Sequence, residues 1–403
     1  MKEIDMRRNS LKDIIISRYF LFIAYFFTFL TSCYLGNLGK ISQIVDGISI
    51  SIFFIIILCY LVEKRVSKIF FAIILFIIMG ALSTFNGEYS SIDYFFKIFY
   101  RIISIALLTD MSMKYDSEKT INILYVVFYI LCILNLVSIL KYPHGMYISD
   151  TQYSNWFFTY DNLHCMILFP AVIVGYLRNY FINKKINISF IILLIIVSYQ
   201  VYYCFSATTV FCYTLILIYL LISEILKKNV NVEPNKYLIA FYILFILIVL
   251  FRVQNIFNWL IVDVLKKDLT FTGRVYVWDK AIEYIKLHPF LGYGYETTSV
   301  ISRKLGSPLF THCHNTILDV MYKGGVFSLG IFLYLLYLPF SELNKIKSNK
   351  IANFLAFSIF IFLIMFIFES REDKMGLFLV LVIAFNIKYI IEKNSSKMKG
   401  KQL

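Results

Sequence analysis

The sequence has 403 residues, of which 60% are apolar and only 16% are charged, and its formal net charge is +14. This composition excludes a water-soluble fold, because charged residues make up about a quarter of a typical globular chain. The apolar residues are about as many as twelve membrane spans of roughly 20 residues each require. We therefore predict an all-α polytopic membrane protein with about 12 transmembrane helices, in which residues 1–403 form a single bundle.

Twelve apolar segments follow one another along the chain, and each predicts a membrane-spanning helix. In chain order they lie at about 15–36, 48–62, 69–84, 97–112, 120–140, 162–181, 186–204, 207–226, 237–253, 325–340, 351–368 and 375–391. The first segment follows a basic stretch and lacks an Ala-x-Ala cleavage pattern, so we interpret it as a span and not as a removed signal peptide. The fourth contains Arg101, which at membrane depth needs a substrate role or an ion pair with Asp93 or Asp110.

The distribution of Lys and Arg predicts the orientation of these helices. With the N-terminus in the cytoplasm, the predicted inner loops hold 22 basic residues and the short outer loops hold four. Such an excess of basic residues marks the cytoplasmic loops of membrane proteins. We therefore expect a multi-pass protein of the cytoplasmic membrane with both termini in the cytoplasm. The positive charge then reflects topology and does not indicate nucleic-acid binding.

Two segments are neither membrane spans nor short turns, and this topology places both on the extracytoplasmic side. Residues 141–161 are rich in Tyr, Trp and Phe, and residues 254–313 form a loop of about 60 residues. Long loops within compact proteins are usually functional. We therefore expect the chemistry of the protein to reside in these two segments.

The 254–313 loop contains a pattern that predicts a short amphipathic helix. Apolar residues recur with the spacing i, i+3, i+4, i+7 at positions 278, 281, 282 and 285, which predicts a helix over 274–287. Thr272 is a suitable N-cap, and Pro289 ends the helix at His288.

Arg274 lies in the first turn of this predicted helix, where a cation opposes the helix dipole. A bound anion at the same place, held by free backbone N–H groups and the guanidinium, offsets this cost. A lipid-linked phosphate or diphosphate is the anion expected outside a membrane enzyme. The alternative is a surface arginine paired with Asp268 or Asp279.

The next motif, residues 289–295, is a turn with two glycines among aromatic residues. It does not complete a GxGxxG phosphate-binding pattern. It is either a tight turn that packs on the bundle or a platform on which sugars stack.

The loop ends with His312, Cys313, His314 and Asn315 directly before an apolar helix. Two histidines at i and i+2 suggest metal ligands, but no third ligand has an obvious spacing, so we predict no metal site. A neutral imidazole at the opening of an outward-facing cavity accepts a proton from a sugar hydroxyl, because its pKa lies near the working pH. The alternative is a histidine that caps a helix start. Of the pair, His314 is the stronger candidate for a base.

These motifs together, in this order, resemble those of the O-antigen polymerase and ligase superfamily. The set comprises Thr272-Gly273-Arg274, Trp278, Pro289, Gly292-x-Gly294, His314-Asn315 and Gly324-Gly325. Asn162, at the start of the sixth span, and Glu369, at the outer end of the eleventh, also resemble family positions. The resemblance covers about residues 160–370.

The resemblance implies a metal-independent glycosyltransferase of the GT-C-like membrane class, which needs no cofactor and uses undecaprenyl-diphosphate-linked glycans. On the family pattern, Arg274 binds the diphosphate and His314 activates the acceptor hydroxyl. The further residues expected to contact substrate are Asn315, Trp278, Glu369 and Asn162. A flippase and a chain-length regulator are the expected partners beside the lipid bilayer.

The sequence departs from the family pattern at one place. Many relatives carry a Ser-Arg pair at the start of a mid-chain span, where the Arg also contacts phosphate, but here Ser206 is followed by Ala207. A second phosphate contact is therefore in doubt. Arg252, at the outer end of the ninth span, is the candidate to supply one, and Arg101 is a further candidate to bind substrate.

The function that these features predict is the polymerisation of lipid-linked repeat units into a capsule, exopolysaccharide or O-antigen polysaccharide. A ligase that transfers the lipid-linked glycan to a different acceptor is the close alternative. A flippase or transporter of the repeat unit is the alternative from another class. Transporters typically show internal repeats, interrupted spans and midplane charges, none of which is evident in this sequence.

Overall fold

The computed structural model describes residues 17–63, 67–148, 154–182, 186–227, 232–253, 273–308 and 310–399. The described residues form helices joined by short loops, together with one small sheet. In chain order the helices are α1 Arg18–Leu30, α2 Gly39–Glu63, α3 Lys68–Asn86, α4 Ile92–Lys141, α5 Asp161–Ile182, α6 Ile188–Cys204, α7 Ala207–Leu220, α8 Pro234–Phe245, α9 Arg274–Leu287, α10 Thr298–Leu305, α11 Thr316–Asn344, α12 Lys350–Phe368, α13 Met375–Phe385 and α14 Ile387–Lys399.

The predicted apolar segments all coincide with these helices. Single π-helical turns at Leu221–Ile225 and Ile246–Leu250 extend α7 and α8. The fourth and fifth predicted spans lie in the 50-residue α4, whose helical geometry breaks at Asp116 (φ −152°, ψ 88°). The all-α polytopic fold is therefore confirmed.

Helix length and composition identify fewer membrane spans than the twelve that the sequence predicts. Within the described ranges, seven helices are long and apolar enough to cross a membrane, and eight if α13 and α14, bent by 53°, form one span. The predicted spans that remain correspond to three shorter apolar helices, α1, α6 and extended α8, and to the second half of α4. Twelve spans stay a prediction.

The loops that were predicted to lie on one side of the membrane meet at one end of the bundle. The Tyr34 N–H bonds to the Phe157 carbonyl at 2.8 Å, and the Ser91 N–H bonds to the Tyr295 carbonyl at 3.0 Å. This clustering agrees with the alternation of loops that the charge pattern predicts. We call this end the site end.

The aromatic 141–161 segment forms a small antiparallel sheet at the site end. Its strands are β1 Tyr147–Ile148, β2 Ser154–Trp156 and β3 Thr159–Tyr160, in the order β1-β2-β3. The buried Asn135 of α4 accepts the Phe158 N–H at 2.8 Å and so attaches the sheet to the bundle. Because β3 runs directly into α5, the sheet fixes where that helix begins.

Helix α11 is interrupted at Gly325, and the interruption holds the glycine-rich turn in place. Gly325 has φ +64°, and a Cβ there would lie 2.0 Å from the Phe290 carbonyl oxygen. The Tyr322 and Lys323 carbonyls accept the N–H groups of residues 293 and 294 at 2.8 and 2.9 Å. The 289–295 segment is thus a tight turn that packs on the bundle, and this one of the two predicted readings is confirmed.

The amphipathic helix predicted over 274–287 is confirmed in its bounds and its buried face. Val277, Trp278, Ala281 and Ile285 are its buried residues. The predicted N-cap was wrong, since Gly273 (φ +82°) occupies that position and Thr272 lies outside the described residues. A left-handed backbone is easily adopted by glycine, which lets the chain turn sharply into the helix.

Candidate active site

The two predicted catalytic residues, Arg274 and His314, both lie close to the side chain of Glu369. Glu369 is the C-cap of α12, and its side chain is almost fully buried. Arg274 Nη2 donates to Glu369 Oε1 at 2.7 Å, and His314 Nδ1 lies 3.7 Å from Oε2. The structure therefore brings a guanidinium, an imidazole and a carboxylate together from segments that are far apart in the sequence.

Trp278 fixes the helix that carries Arg274 relative to His314. It lies one turn after Arg274 in α9 and is fully buried. Its indole N–H donates to the His314 carbonyl at 3.2 Å. Trp278 therefore holds the two candidate catalytic residues in register, and its predicted contact with substrate stays a prediction.

His314 is held in a left-handed backbone conformation, with φ +49°. Non-glycine residues rarely adopt this conformation unless the surrounding structure enforces it. The enforcing contacts come from Asn315, the N-cap of α11, whose side chain accepts the Leu318 N–H at 3.0 Å and donates to the Ile367 carbonyl at 2.9 Å. The oxygen and the nitrogen of the Asn315 side-chain amide are thus both hydrogen-bonded to the backbone of the protein, and these bonds position the adjacent His314 imidazole.

The loop that follows α12 is bound to the start of α11 by Thr316. The Thr316 hydroxyl donates to the Glu369 carbonyl at 2.7 Å and accepts the Arg371 N–H at 3.0 Å. Glu369 and His314 therefore share one local framework, and their separation is set by hydrogen bonds rather than by two independent loops.

Arg371 is a site residue that the sequence analysis missed. Its guanidinium lies 3.5 Å from Glu369 Oε2, and it donates to the backbone carbonyls of Ser370 at 3.0 Å and Asn162 at 2.9 Å. The side chain is 1% exposed. The one sequence signal for Arg371 is that it lies in the charged segment 369–374 between two apolar spans. In the charge count that predicted the topology, Arg371 was treated as an ordinary residue of an outer loop.

Glu369 remains ionised although it is buried. Burial alone would raise the pKa of this carboxyl, but the positive charge of Arg371, the adjacent His314 ring and Arg274 together hold its pKa well below the usual range. Among the described residues, Glu369 thus forms close ion pairs with two guanidiniums, and these three side chains together carry a net positive charge.

Asn162 joins this site through its backbone and its side chain. Its carbonyl accepts from Arg371, and its side-chain oxygen accepts a hydrogen bond from the Ser206 hydroxyl. Ser206 is the residue that Ala207 follows in place of the expected arginine. Arg371 thus donates a hydrogen bond to the backbone of Asn162, and Ser206 donates one to the side chain of the same residue.

A second buried charge cluster lies directly behind His314. Asp319 accepts the Cys313 N–H at 3.0 Å, and Lys323 donates both to Asp319 and to Glu372, the latter at 2.6 Å. Burial raises the pKa of Glu372 well above its ordinary value, and the nearby Asp319 carboxylate adds to this. Glu372 is therefore neutral, and Lys323 is balanced by Asp319.

Arg252 lies over the ring of Trp278. Its guanidinium carbon is 5.0 Å from the centre of the Trp278 ring, and Nη2 donates to Asp279 at 2.6 Å. Asp279 was a possible partner of Arg274, but its carboxylate is bound by Arg252. Asp268, the other possible partner, lies outside the described residues.

Arg101 has a different ion-pair partner from the two that were predicted. It pairs with Asp46 of α2 at 3.0 Å and donates to the Tyr100 hydroxyl at 3.1 Å. The predicted pairing with Asp93 or Asp110 was wrong, and Asp110 is paired with Lys114 instead. The misassignment arose because only nearby sequence positions were considered, whereas Asp46 approaches from another helix.

His312, His314 and Glu369 offer ligand atoms within 4.8 Å of one another, so the third group that sequence spacing did not supply is present. The charges around it do not fit a divalent cation, however. Arg274 and Arg371 already neutralise the Glu369 carboxylate, and a metal ion would add to their positive charge. Residue His312 accepts the His314 N–H at 3.1 Å through Nδ1 and so has a structural role in the loop.

Comparison with known proteins confirms the resemblance that the motifs suggest. Residues 162–333 match the family model described as O-antigen ligase. The chain is 31% identical over 87 residues to a Rickettsia felis protein named "Putative polysaccharide ligase", which is 19% of this chain and 21% of the relative. It is 31% identical over 101 residues to the exopolysaccharide production protein ExoQ of Rhizobium meliloti, which is 22% of this chain and 23% of the relative. The alignments thus span about a fifth of each of these relatives.

Proposed function

We propose that the chain polymerises undecaprenyl-diphosphate-linked repeat units. The premise is that residues 162–333 match the O-antigen ligase family of the polymerase and ligase superfamily of membrane enzymes. The reaction would take place on the outer face of the cytoplasmic membrane. The product would be a capsule, exopolysaccharide or O-antigen polysaccharide.

The observation that supports this proposal is the convergence of Arg274 and His314 on Glu369. In the free protein the Glu369 carboxylate is bound to the Arg274 guanidinium. A diphosphate presents the same kind of oxygen atoms to such a fork, with more charge. The site therefore has the chemistry to bind a lipid-linked diphosphate next to an imidazole.

In the proposed reaction, His314 removes the proton from an acceptor hydroxyl as its oxygen bonds to the anomeric carbon of the donor sugar. The bond between that carbon and the diphosphate oxygen breaks, and undecaprenyl diphosphate leaves with the electron pair. Arg274 offsets the charge that develops on the leaving group. Because a diphosphate is already a good leaving group, positioning and anion stabilisation are the main contributions required of the protein.

A ligase that uses a different acceptor is the second candidate, and the name of the Rickettsia felis relative, "Putative polysaccharide ligase", favours it. The two candidates differ in what the purified protein does with lipid-linked repeat units alone. A polymerase lengthens them into a ladder of chains, whereas a ligase leaves them unchanged until its separate acceptor is added.

The proposal is tested in the native host with Arg274→Ala and His314→Ala. Each change should leave single repeat units on the lipid carrier and remove long chains, while the protein remains in the membrane. Arg303→Ala and His144→Ala are matched controls, because both side chains are exposed and lie elsewhere, and they should leave the chain-length distribution unchanged.

Two results would count against the proposal. Chains of normal length in both site variants would show that the site is wrongly assigned. Repeat units trapped on the cytoplasmic face would indicate a flippase instead.

A further inference from the structure

Glu369 lies between two guanidiniums that the protein holds in different ways. The Arg274 side chain is 20% exposed, whereas that of Arg371 is 1% exposed. Arg371 is also fixed by hydrogen bonds to two backbone carbonyls, one on its own loop and one at the start of α5. Arg274 is therefore the guanidinium accessible to a ligand, and Arg371 is part of the framework.

Substrate binding changes the surroundings of Glu369. If Arg274 turns to a diphosphate, the buried carboxylate loses its 2.7 Å contact and faces additional negative charge. A buried carboxylate without a cation is strongly destabilised and takes up a proton or moves. Arg371, 3.5 Å from Oε2, prevents this, because its backbone hydrogen bonds do not involve Arg274 or the substrate.

We propose that Arg371 is the fixed counter-ion of Glu369, which keeps this carboxylate charged and beside His314 while Arg274 binds the donor diphosphate. This inference rests on the proposed function, because it assigns Arg274 to the diphosphate. Arg371 is thus a positioning residue that acts through Glu369 and does not itself contact the substrate.

The surroundings of Arg371 favour this role over that of a second phosphate ligand. Both terminal nitrogens donate to backbone carbonyls, and the side chain has almost no exposed surface. Within the part of the chain that the structure describes, the charged and titratable groups around Glu369 other than Arg371 are Arg274 from α9, His314 and His312 from the loop before α11, and Tyr160 and Asp161 from the β3–α5 junction. None of these except Arg274 is a permanent cation, so Arg371 is the counter-ion left when Arg274 is engaged.

The test compares Arg371→Gln, Arg371→Lys and Lys374→Gln in the full-length protein, with a purified lipid-linked repeat unit as donor. Lys374 is the matched control, because it is a cation of the same loop that pairs with Asp373 and not with Glu369. Arg371→Gln should lower kcat about tenfold or more, because Glu369 then takes up a proton or moves and no longer holds its place beside His314, and any rise in donor KM should be the smaller effect. The Arg371→Lys variant keeps the charge and should recover most of the activity, and Lys374→Gln should equal wild type.

A double variant separates action through Glu369 from any independent effect. Glu369→Gln combined with Arg371→Gln should be no slower than Glu369→Gln alone, because a neutral amide needs no counter-ion. A raised donor KM with unchanged kcat in Arg371→Gln would overturn the inference and identify a direct phosphate ligand. Losses that multiply in the double variant would overturn it as well.

An infrared measurement tests the inference without any turnover. In Arg371→Gln, with a non-hydrolysable lipid diphosphate bound, a second carbonyl band of a protonated carboxylic acid should appear beside that of Glu372, and it should be lost when Glu369→Gln is added. Absence of this band at neutral pH would overturn the inference. If wild type and Lys374→Gln bind the diphosphate but transfer no sugar, the proposed function fails, and the infrared result still decides the role of Arg371.

Discussion

The indole N–H of Trp278 donates to the backbone carbonyl of His314 at 3.2 Å. This contact joins the helix that carries Arg274 to the loop that carries the imidazole. The two candidate catalytic groups are thus held together by a hydrogen bond that involves neither of their own side-chain functional groups.

Trp278→Phe should lower kcat about tenfold, whereas its effect on the unfolding temperature should be about the same as that of its control. Phenylalanine keeps most of the packing but leaves the buried His314 carbonyl without this donor, which costs about 1–3 kcal/mol. Trp156→Phe is the matched control, because its indole donates to the Tyr142 carbonyl at 2.9 Å in the small sheet. A Trp278→Phe enzyme as fast as the Trp156→Phe enzyme would show that this bond does not position His314.

The charge balance around Lys323 predicts that the losses of stability caused by substituting Asp319 and Glu372 are not additive. Because burial and the neighbouring Asp319 raise the pKa of Glu372, it is neutral, and Glu372→Gln should change stability little. Asp319→Asn should also be tolerated in part, since Glu372 then ionises and balances Lys323. The double variant removes both carboxylates that accept hydrogen bonds from the buried Lys323, while the nearby Asp373 is already paired with Lys374, and it should lose about 3–5 kcal/mol.

Thermal unfolding of the purified single and double variants in detergent measures this interaction. Losses that simply add would contradict the proposed transfer of charge from Asp319 to Glu372. A large loss from Glu372→Gln alone would show instead that Glu372 is ionised in the wild type.

Gly325→Ala should prevent the 289–295 turn from packing on α11. The added Cβ would lie 2.0 Å from the Phe290 carbonyl oxygen, and φ +64° is strained for any other residue. Gly330→Ala, in the same helix, meets nothing within 4 Å and is the matched control. Limited proteolysis should cleave the 289–295 segment in Gly325→Ala alone, and equal resistance of the two variants would refute the close approach described here.

The stability of the fold should decrease as the pH falls between about 6.5 and 3. Desolvation first, and then the nearby His314, lower the pKa of His312 from 6.5 to about 3. In this window the unfolded chain binds a proton that the folded chain does not, so acidification favours unfolding.

His312→Asn should reduce this pH dependence of the unfolding temperature, because an amide oxygen replaces the Nδ1 acceptor for the His314 N–H without titrating. His144→Asn, which changes an exposed imidazole, is the matched control and should keep the wild-type slope. An unchanged slope in His312→Asn would assign the effect to other groups.

The parts of the fold that follow from local patterns were predictable from the sequence. Helix 274–287 was predicted to the residue, because its apolar spacing and Pro289 define both ends. The identity of its N-cap was not, because Thr272 and Gly273 are both acceptable there and the backbone turn favours the glycine.

The relationships that depend on tertiary packing were not predictable in this way. Glu369 entered only through the resemblance to a family, and nothing in its sequence surroundings indicates that it lies between Arg274 and His314. Arg371 was counted as a topology charge, because a charge count does not distinguish a buried guanidinium from a solvated one. The predicted ion-pair partners of Arg101 were also wrong, because its actual partner, Asp46, is 55 residues away in the sequence.

The dependence of the site on Arg371 sets an order of events during biosynthesis. Asn162 leaves the ribosome more than two hundred residues before the guanidinium that binds its carbonyl, as their positions differ by 209. A nascent chain that stops before residue 371 therefore inserts most of its helices without acquiring a complete reaction centre. Under the proposed function, activity would begin only once the α12–α13 loop is in place, so truncated products in the membrane would not consume the lipid-linked precursor.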